Sequence, residues 1–199
     1  MIAAVVLAAG AATRMGRSKQ LLPLAGRPLV RHVAAAACAA AVGQVVVVTG
    51  AEGAAVATAV AGLPLSVVEN ADWQAGQAAS LKTGLAALAP EARAAIFLLA
   101  DQPLVTSDLI NALIDAYRQG GATIALPVAG GRRGNPVLFD LARWRPALMA
   151  LAGDAGARGI IDANPAEVVQ IAAGPEIFMD IDTPADYVRM QEFWNNGRP

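Results

Sequence analysis

The sequence predicts an α/β protein built on a doubly wound, mostly parallel sheet. Four short apolar runs lack the polar–apolar alternation of a strand that faces water on one side, so each is expected to be buried on both faces. Helix-like stretches separate these runs, and this alternation is typical of βαβ units. Alanine, at 47 of 199 residues, suits helices that pack closely on a sheet because its side chain is small. The four runs are residues 3–7, 45–49, 65–68 and 95–99.

The remaining elements follow in chain order. We expect helices at residues 29–41, 51–61, 77–88, 107–118 and 141–151, and further strands at residues 123–126, 136–139, 168–171 and 177–181. A last helix begins after Thr183, whose side chain can cap it. Pro184 suits the first helical position, and Asp186 lies near the positive end of the helix dipole.

Composition excludes several classes of protein. With 56% hydrophobic and 16% charged residues, the chain is not disordered. The longest apolar run, residues 33–42, is shorter than the roughly 20 residues of a membrane-spanning helix. Cys38 is the one cysteine, which excludes a disulfide framework and a Cys-cluster zinc site. The balance of 15 basic and 16 acidic residues gives no electrostatic footprint for nucleic acid.

These observations lead us to expect a single domain over residues 1–199, with neither a membrane nor nucleic acid as partner. The apolar N-terminus has no basic residue before it, and the first positive charge is Arg14. This order is unlike that of a secretory signal peptide. We therefore expect a cytoplasmic protein.

The first motif runs from Leu7 to Gly16 and ends near Lys19. It follows the first strand at the carboxyl edge, where open α/β sheets bind ligands. Its small residues let backbone N–H groups approach phosphate oxygens, and Arg14 and Lys19 supply positive charge. The glycine spacing fits neither a Walker A loop nor a dinucleotide fingerprint. The alternative is a tight turn with exposed basic residues. The motif reads Leu7-Ala8-Ala9-Gly10-Ala11-Ala12-Thr13-Arg14-Met15-Gly16, in which alanine and glycine are the small residues.

Carboxylates follow two other predicted strands. Asp101 comes after the strand at residues 95–99, which places it at the same edge as the first motif. Asp180 and Asp182 point the same way along an extended segment, so either could be a second carboxylate. Magnesium takes one or two carboxylates plus substrate phosphate oxygens. The alternative is that these residues cap a turn and a helix.

Three further segments carry polar residues at turns. Gly76, Gln77 and Ser80 begin a helix after a strand and could bind a base or ribose, or be ordinary helix-start residues. Arg132 and Arg133 could clamp an anionic second substrate, although a solvated loop is an equal alternative. A glycine-rich turn at residues 153–158 ends in another arginine. The loop after the two arginines reads Gly134-Asn135-Pro136.

The chemistry these motifs suggest needs no protein nucleophile. His32 is the one histidine, and it lies on a predicted amphipathic helix rather than beside a Ser or Cys. A phosphate loop, cations and carboxylates suit direct phosphoryl or nucleotidyl transfer, in which positioning and charge neutralisation supply most of the catalysis.

The motifs together resemble the molybdenum-cofactor-type NTP transferases, among them the molybdenum cofactor cytidylyltransferases. The resemblance runs almost end to end and rests on five stretches in family order. It implies a Rossmann-like three-layer fold of the nucleotide-diphospho-sugar transferase type. It also implies transfer of CMP from CTP to molybdenum-carrying molybdopterin, with molybdenum hydroxylase apoenzymes as possible recipients. The stretches are Leu7–Lys19, Gln20–Leu29, Ala100–Pro103, Gly134–Val137 and Asp180–Pro184.

The same resemblance implies roles for individual residues. Arg14 and Lys19 would neutralise the phosphates and the transition state, and Asp101 would bind Mg²⁺ with Asp182 as the second carboxylate. The loop through Gly134, Asn135 and Pro136 would face the pterin phosphate. Ala9 points towards CTP, since guanylyl-transferring relatives usually carry Gly there. One methyl group gives about 1–3 kcal/mol of discrimination, so a guanylyltransferase, a sugar- or alcohol-phosphate nucleotidyltransferase and a non-catalytic cofactor chaperone stay open.

Overall fold

The central sheet is mostly parallel, as the sequence predicts. A computed structural model describes residues 1–10 and 18–196 of the chain. Most predicted strands lie within two or three residues of their expected bounds. The strands are β1 (Ile2–Ala8), β2 (Pro23–Leu24), β3 (Arg27–Pro28), β4 (Gln44–Thr49), β5 (Ser66–Glu69), β6 (Ala94–Leu99), β7 (Ile124–Ala129), β8 (Arg132–Arg133), β9 (Val137–Asp140) and β10 (Val168–Ala172).

The strand order brings the predicted motifs to one edge. Neighbours in the sheet run β10-β7-β9-β6-β1-β4-β5, with β8 beside β7 and a separate β2–β3 hairpin. β1 lies between β6 and β4 and is parallel to both, with Leu7 opposite Leu99. The loops after β1 and β6 therefore leave the sheet side by side. β9 is antiparallel because the short connection from β7 cannot make the long crossover that a parallel strand needs.

Helices cover both faces of this sheet. Gly84 on α3 (Gln77–Ala86) lies close to β1, because a Cβ there would lie 2.4 Å from Val5 Cγ1. Alternate residues of β1 belong to the two main core clusters, with Val6 in one and Val5 in the other. The expected three-layer fold, a sheet with helices on both faces, is confirmed. The helices are α1 (Leu29–Ala39), α2 (Gly53–Ala59), α3 (Gln77–Ala86), α4 (Ser107–Arg118), α5 (Leu141–Met149), α6 (Arg158–Ala163) and α7 (Pro184–Asn195).

The last helix begins as its sequence predicts and packs where it can orient the site. Thr183 and Asp186 form a reciprocal capping box, and Pro184 is the first helical residue. α7 contributes Met190 to a third core cluster, which also contains Leu22 and Ile181. This cluster fixes the segment before α7 against the segment that follows the first motif.

The prediction of a strand at residues 177–181 is wrong. The chain forms a short 3-10 helix, Pro175–Phe178, and then continues without strand pairing. Pro175 has no N–H to donate to a ladder. The apolar pattern reflects burial instead, since Ile177 and Ile181 are 4% and 0% exposed. α6 was not predicted, because its six residues are too few to establish a helical period.

No helix within residues 1–10 and 18–196 is long and apolar enough to cross a membrane.

Candidate active site

A cavity of about 780 Å³ opens at the carboxyl edge of the sheet, and we call it the carboxylate cavity. Every predicted nucleotide- or metal-binding residue that the structure describes lines it. Arg14 and Gly16, which complete that prediction, lie outside the described residues. The predicted residues that line the cavity are Leu7, Ala8, Ala9, Gly10, Lys19, Gly76, Ser80, Asp101 and Asp182.

Lys19 bridges two carboxylates on the cavity wall. Its Nζ lies 2.5 Å from Asp101 Oδ2 and 2.7 Å from Asp182 Oδ1. The Lys19 and Asp101 side chains are 25% and 15% exposed, whereas that of Asp182 is 53% exposed. The cluster thus joins the segment after the first motif to the ends of β6 and of the segment before α7.

The electrostatics of the cluster keep Lys19 charged. Burial lowers the pKa of Lys19, but the charges and hydrogen bonds of Asp101 and Asp182 outweigh it and leave that pKa raised. Asp180 lines the same cavity. Desolvation, followed by repulsion from Asp182 and Asp101, raises the pKa of Asp180. The cavity therefore carries more negative than positive charge on its described walls.

The donor set fits a hard divalent cation. Asp101 Oδ1 is buried and has no hydrogen-bond partner among the described residues, so one lone-pair set of this carboxylate is left for a ligand. No set of three or more His, Cys, Asp or Glu residues in the described chain is arranged to hold a metal ion. Magnesium binds one or two carboxylates together with substrate phosphates, so Asp101 and Asp182 suit it.

Gln20 fixes the first motif and was missed as a site residue. It is 2% exposed, and its Nε2 donates to the carbonyl oxygens of Ala8 at 3.1 Å and Gly10 at 3.0 Å. These bonds hold the backbone at Ala8 and Gly10 through their carbonyl oxygens and do not use the N–H groups of these two residues. A polar residue directly before Leu21 and Leu22 was the one signal in the sequence.

The start of α3 forms the opposite wall. Gly76 has a φ of +99°, and a Cβ there would lie 2.4 Å from backbone atoms of Gly153. Ala78 donates its N–H to the Gly153 carbonyl at 3.0 Å. Ser80 Oγ accepts a hydrogen bond from Asn70 Nδ2 at 3.0 Å, so this hydroxyl is already held in place.

A second cavity, of about 620 Å³, adjoins the first, and we call it the arginine cavity. Arg132, Arg133 and Arg158 line it together with the rings of Phe97 and Phe139. Gly134 and Asn135 also line it, as predicted for the second substrate, whereas Pro136 does not. Leu7, Gln77 and Leu99 line both cavities.

Side-chain contacts hold two of these arginines. Arg133 Nη1 lies 2.7 Å from Asp162 Oδ1 on α6. The Arg132 guanidinium lies 4.5 Å from the centre of the Phe178 ring. Gly134 allows the 3-10 helix to pack beneath it, since a Cβ would lie 2.6 Å from Ile177 Cδ1.

His32, which we did not expect to act as a base, lies outside both cavities. Its Nε2 is 2.8 Å from the Leu24 carbonyl oxygen, and its ring packs edge-on against Trp194 at 4.8 Å.

Comparison with known proteins places this geometry in a family. The family model described as "MobA-like NTP transferase domain" matches residues 4–168. The chain belongs to this family. The expected resemblance to molybdenum-cofactor-type NTP transferases and the expected nucleotidyltransferase enzyme class are thereby confirmed.

Three proteins, one of them in two crystal structures, are similar to this chain over nearly its whole length. Nicotine blue oxidoreductase from Paenarthrobacter nicotinovorans is 34% identical, over 95% of this chain and 96% of that protein. The crystal structure of Rv0371c from Mycobacterium tuberculosis H37Rv has a TM-score of 0.86 at 30% identity, covering 96% of this chain and 97% of its own. A manganese complex of Rv0371c has a TM-score of 0.79 at 29% identity, covering 96% and 98%. A nucleotidyl transferase from Methanothermobacter has a TM-score of 0.85 at 25% identity, covering 99% of each chain.

Proposed function

We propose that this protein transfers CMP from CTP to a molybdopterin-type acceptor that carries molybdenum. The products are molybdopterin cytosine dinucleotide and diphosphate, and the reaction takes place in the cytoplasm. The adjoining cavities carry this proposal. One combines an ammonium with carboxylates, as a metal–triphosphate needs, and the other combines arginines with aromatic rings, as an anionic ring system needs.

The nucleotide occupies the carboxylate cavity in this proposal. Its triphosphate lies over the end of β1 and the residues that follow, where Ala8, Ala9 and Gly10 are small enough to allow close approach to backbone N–H groups. Lys19 exchanges its carboxylate partners for phosphate oxygens, and Arg14 adds a second positive charge. Gly76 and Ser80 line the far wall, beside the base or ribose.

The reaction is a direct displacement. An oxygen of the acceptor phosphate attacks the α-phosphorus of CTP, the bond to the β-phosphate oxygen breaks, and diphosphate leaves with that electron pair. Lys19 stabilises the negative charge that develops on the phosphates, a preorganised electrostatic effect. Asp101 and Asp182 would hold Mg²⁺, which when bound supplies further charge neutralisation.

The acceptor occupies the arginine cavity. Arg132, Arg133 and Arg158 suit a phosphate and other anionic groups, because a guanidinium can make two parallel hydrogen bonds to them. Phe97 and Phe139, which pack edge to face with ring centres 6.2 Å apart and are 7% and 1% exposed, form an apolar floor beneath this cavity.

The base preference rests on Ala9. Ala9 is 3% exposed and packs against Gly50, where an added Cβ would lie 2.9 Å from Ala9 Cβ. The Ala9 methyl is thus packed into the core beside Gly50, and the support for CTP is the Ala-Ala-Gly pattern of the resemblance at residues 8–10. We therefore propose CTP over GTP.

The experiment is a nucleotide panel with diphosphate as the readout. Purified protein receives Mg²⁺ and CTP, GTP, ATP or UTP, with and without molybdenum-loaded molybdopterin. We expect diphosphate release that requires the acceptor and is fastest with CTP. Faster release with GTP contradicts the base assignment, and release with a sugar phosphate but not with molybdopterin contradicts the acceptor. Acceptor binding without diphosphate release favours the chaperone.

An oxidoreductase is a second candidate, because the nicotine blue oxidoreductase matches this chain along nearly its whole length. The pairing of Asp101 and Asp182 around Lys19 favours the transferase, since hydride transfer has no need of paired carboxylates. Oxidation of NADH or NADPH in the presence of a quinonoid dye, without diphosphate release from any nucleotide, would reverse this choice.

A further inference from the structure

We propose that the Gln77 side-chain amide contacts the transferred phosphoryl group at the point where the two cavities meet. The inference deepens the proposed function and rests on it. Gln77 is one of the residues that line both cavities, and its side chain is exposed to them.

The junction is where the chemistry must take place if each cavity holds one substrate. Within the described chain, Leu7, Gln77 and Leu99 line both cavities. Leu7 and Leu99 face each other across the β1–β6 pair and offer only apolar surface. Gln77 is the polar member of this set, so among these three it is the side chain that can hydrogen-bond the reacting phosphate.

The backbone beneath Gln77 is held firmly. Gln77 is the first residue of α3, directly after Gly76, whose left-handed φ brings it against the Gly153 backbone. The Ala78 N–H bond to Gly153 ties the first turn of α3 to the same loop. Gln77 is thereby placed by contacts that do not involve its side chain.

The side chain itself is left available. Gln77 Oε1 lies 3.6 Å from the position of a Cβ on Gly156, so the amide sits beside a residue that has no side chain to cover it. No hydrogen bond joins the Gln77 amide to another residue of the described chain. An uncommitted amide at the mouth of two cavities can donate its N–H to a ligand oxygen.

A neutral amide suits this place better than a charged group would. Asp101, Asp180 and Asp182 already line the carboxylate cavity. An added carboxylate at the junction would repel the phosphates, whereas an amide donates to a phosphoryl oxygen without changing the net charge. The donor would strengthen its bond as negative charge develops on that oxygen.

The test separates binding from chemistry with two variants at one position. Gln77→Ala removes the donor, and Gln77→Glu keeps the shape while adding negative charge. Removal of one such donor typically lowers kcat by roughly 100-fold. We expect a loss of about that size for Gln77→Ala with little change in the KM for CTP, and a larger loss for Gln77→Glu. Gln170→Ala makes the same chemical change on exposed β10, away from both cavities, and should leave kcat within about twofold of wild type.

The outcomes distinguish this inference from the proposed function. An unchanged kcat for Gln77→Ala, or a rise in KM alone, overturns the role of Gln77 while CTP turnover by the wild type still stands. A wild type that releases no diphosphate from any nucleotide overturns the proposed function and this inference with it. Equal thermal melting of wild type and both variants shows that a loss of rate does not come from unfolding.

Discussion

Replacing Lys19 by methionine tests whether the Lys19 ammonium occupies a position between two carboxylates that a divalent cation can also occupy. The substitution keeps most of the apolar length of the side chain and removes its charge. Asp101 and Asp182 then face each other across the position of Nζ, which lay 2.5 Å and 2.7 Å from their oxygens. We expect the folded state to lose stability without Mg²⁺ and to recover it when Mg²⁺ is added.

The size of the loss follows from the exposure of the cluster. Exposed ion pairs contribute about 0–1 kcal/mol, and removing one partner of a buried pair costs about 3–5 kcal/mol. Lys19 and Asp101 are 25% and 15% exposed, between these limits. We therefore expect a loss of about 2 kcal/mol in the free energy of unfolding. For a chain of this length that corresponds to a fall in Tm of about 4–8 °C.

The assay is thermal melting at pH 7, first in EDTA and then in Mg²⁺. At this pH the contribution of Lys19 is complete, because its raised pKa lies above the ordinary value of 10.5, and the contribution is lost only as pH rises through that raised pKa. Mg²⁺ should raise the Tm of Lys19→Met more than that of the wild type. An unchanged Tm in EDTA, or an equal response to Mg²⁺, would refute the reasoning. Arg189→Met removes a 69% exposed cation paired with Asp186 and should change neither quantity much.

Three further substitutions test other parts of the site. Asp101→Ala should abolish diphosphate release because it removes the carboxylate with the unpartnered oxygen, and normal turnover at saturating Mg²⁺ would exclude a metal role. Gly76→Ala should lower the free energy of unfolding in urea by at least about 1 kcal/mol, since it strains a left-handed φ and meets the Gly153 backbone; an unchanged urea midpoint would count against that contact. Asp180→Asn should stabilise the protein at pH 7, because the raised pKa of Asp180 means that its charge opposes folding there. This advantage should shrink as pH falls through that pKa, and a difference independent of pH would contradict it.

The sequence predicted that the first motif and Asp101 would lie side by side because of a simple property of parallel sheets. The first motif and Asp101 each follow a strand directly, and β1 and β6 proved to be parallel neighbours. Their carboxyl ends therefore meet, whatever the rest of the fold does. The capping box before α7 was predictable for a similar reason, since Thr183 and Asp186 interact within one turn.

Contacts between distant residues were not predictable in this way. Lys19 and Asp182 are 163 residues apart, and nothing local in either segment indicates that they pair. The bond of Arg133 to Asp162 depends on α6, which is too short to give a periodic signal. The strand expected at residues 177–181 does not form. The apolar residues there are buried against Gly134 and the third core cluster, and this burial gives the same sequence pattern as a buried strand.

The central claim is that CMP is transferred directly from CTP to the acceptor. The most direct test uses CTP that carries a label at its α-phosphate and follows where that label goes. The protein is incubated with this CTP, Mg²⁺ and molybdenum-loaded molybdopterin, and the products are separated. Direct transfer of CMP predicts that the label appears in the molybdopterin dinucleotide and that the released diphosphate carries none. Label that stays in CTP, or that appears only in free CMP, would contradict the account.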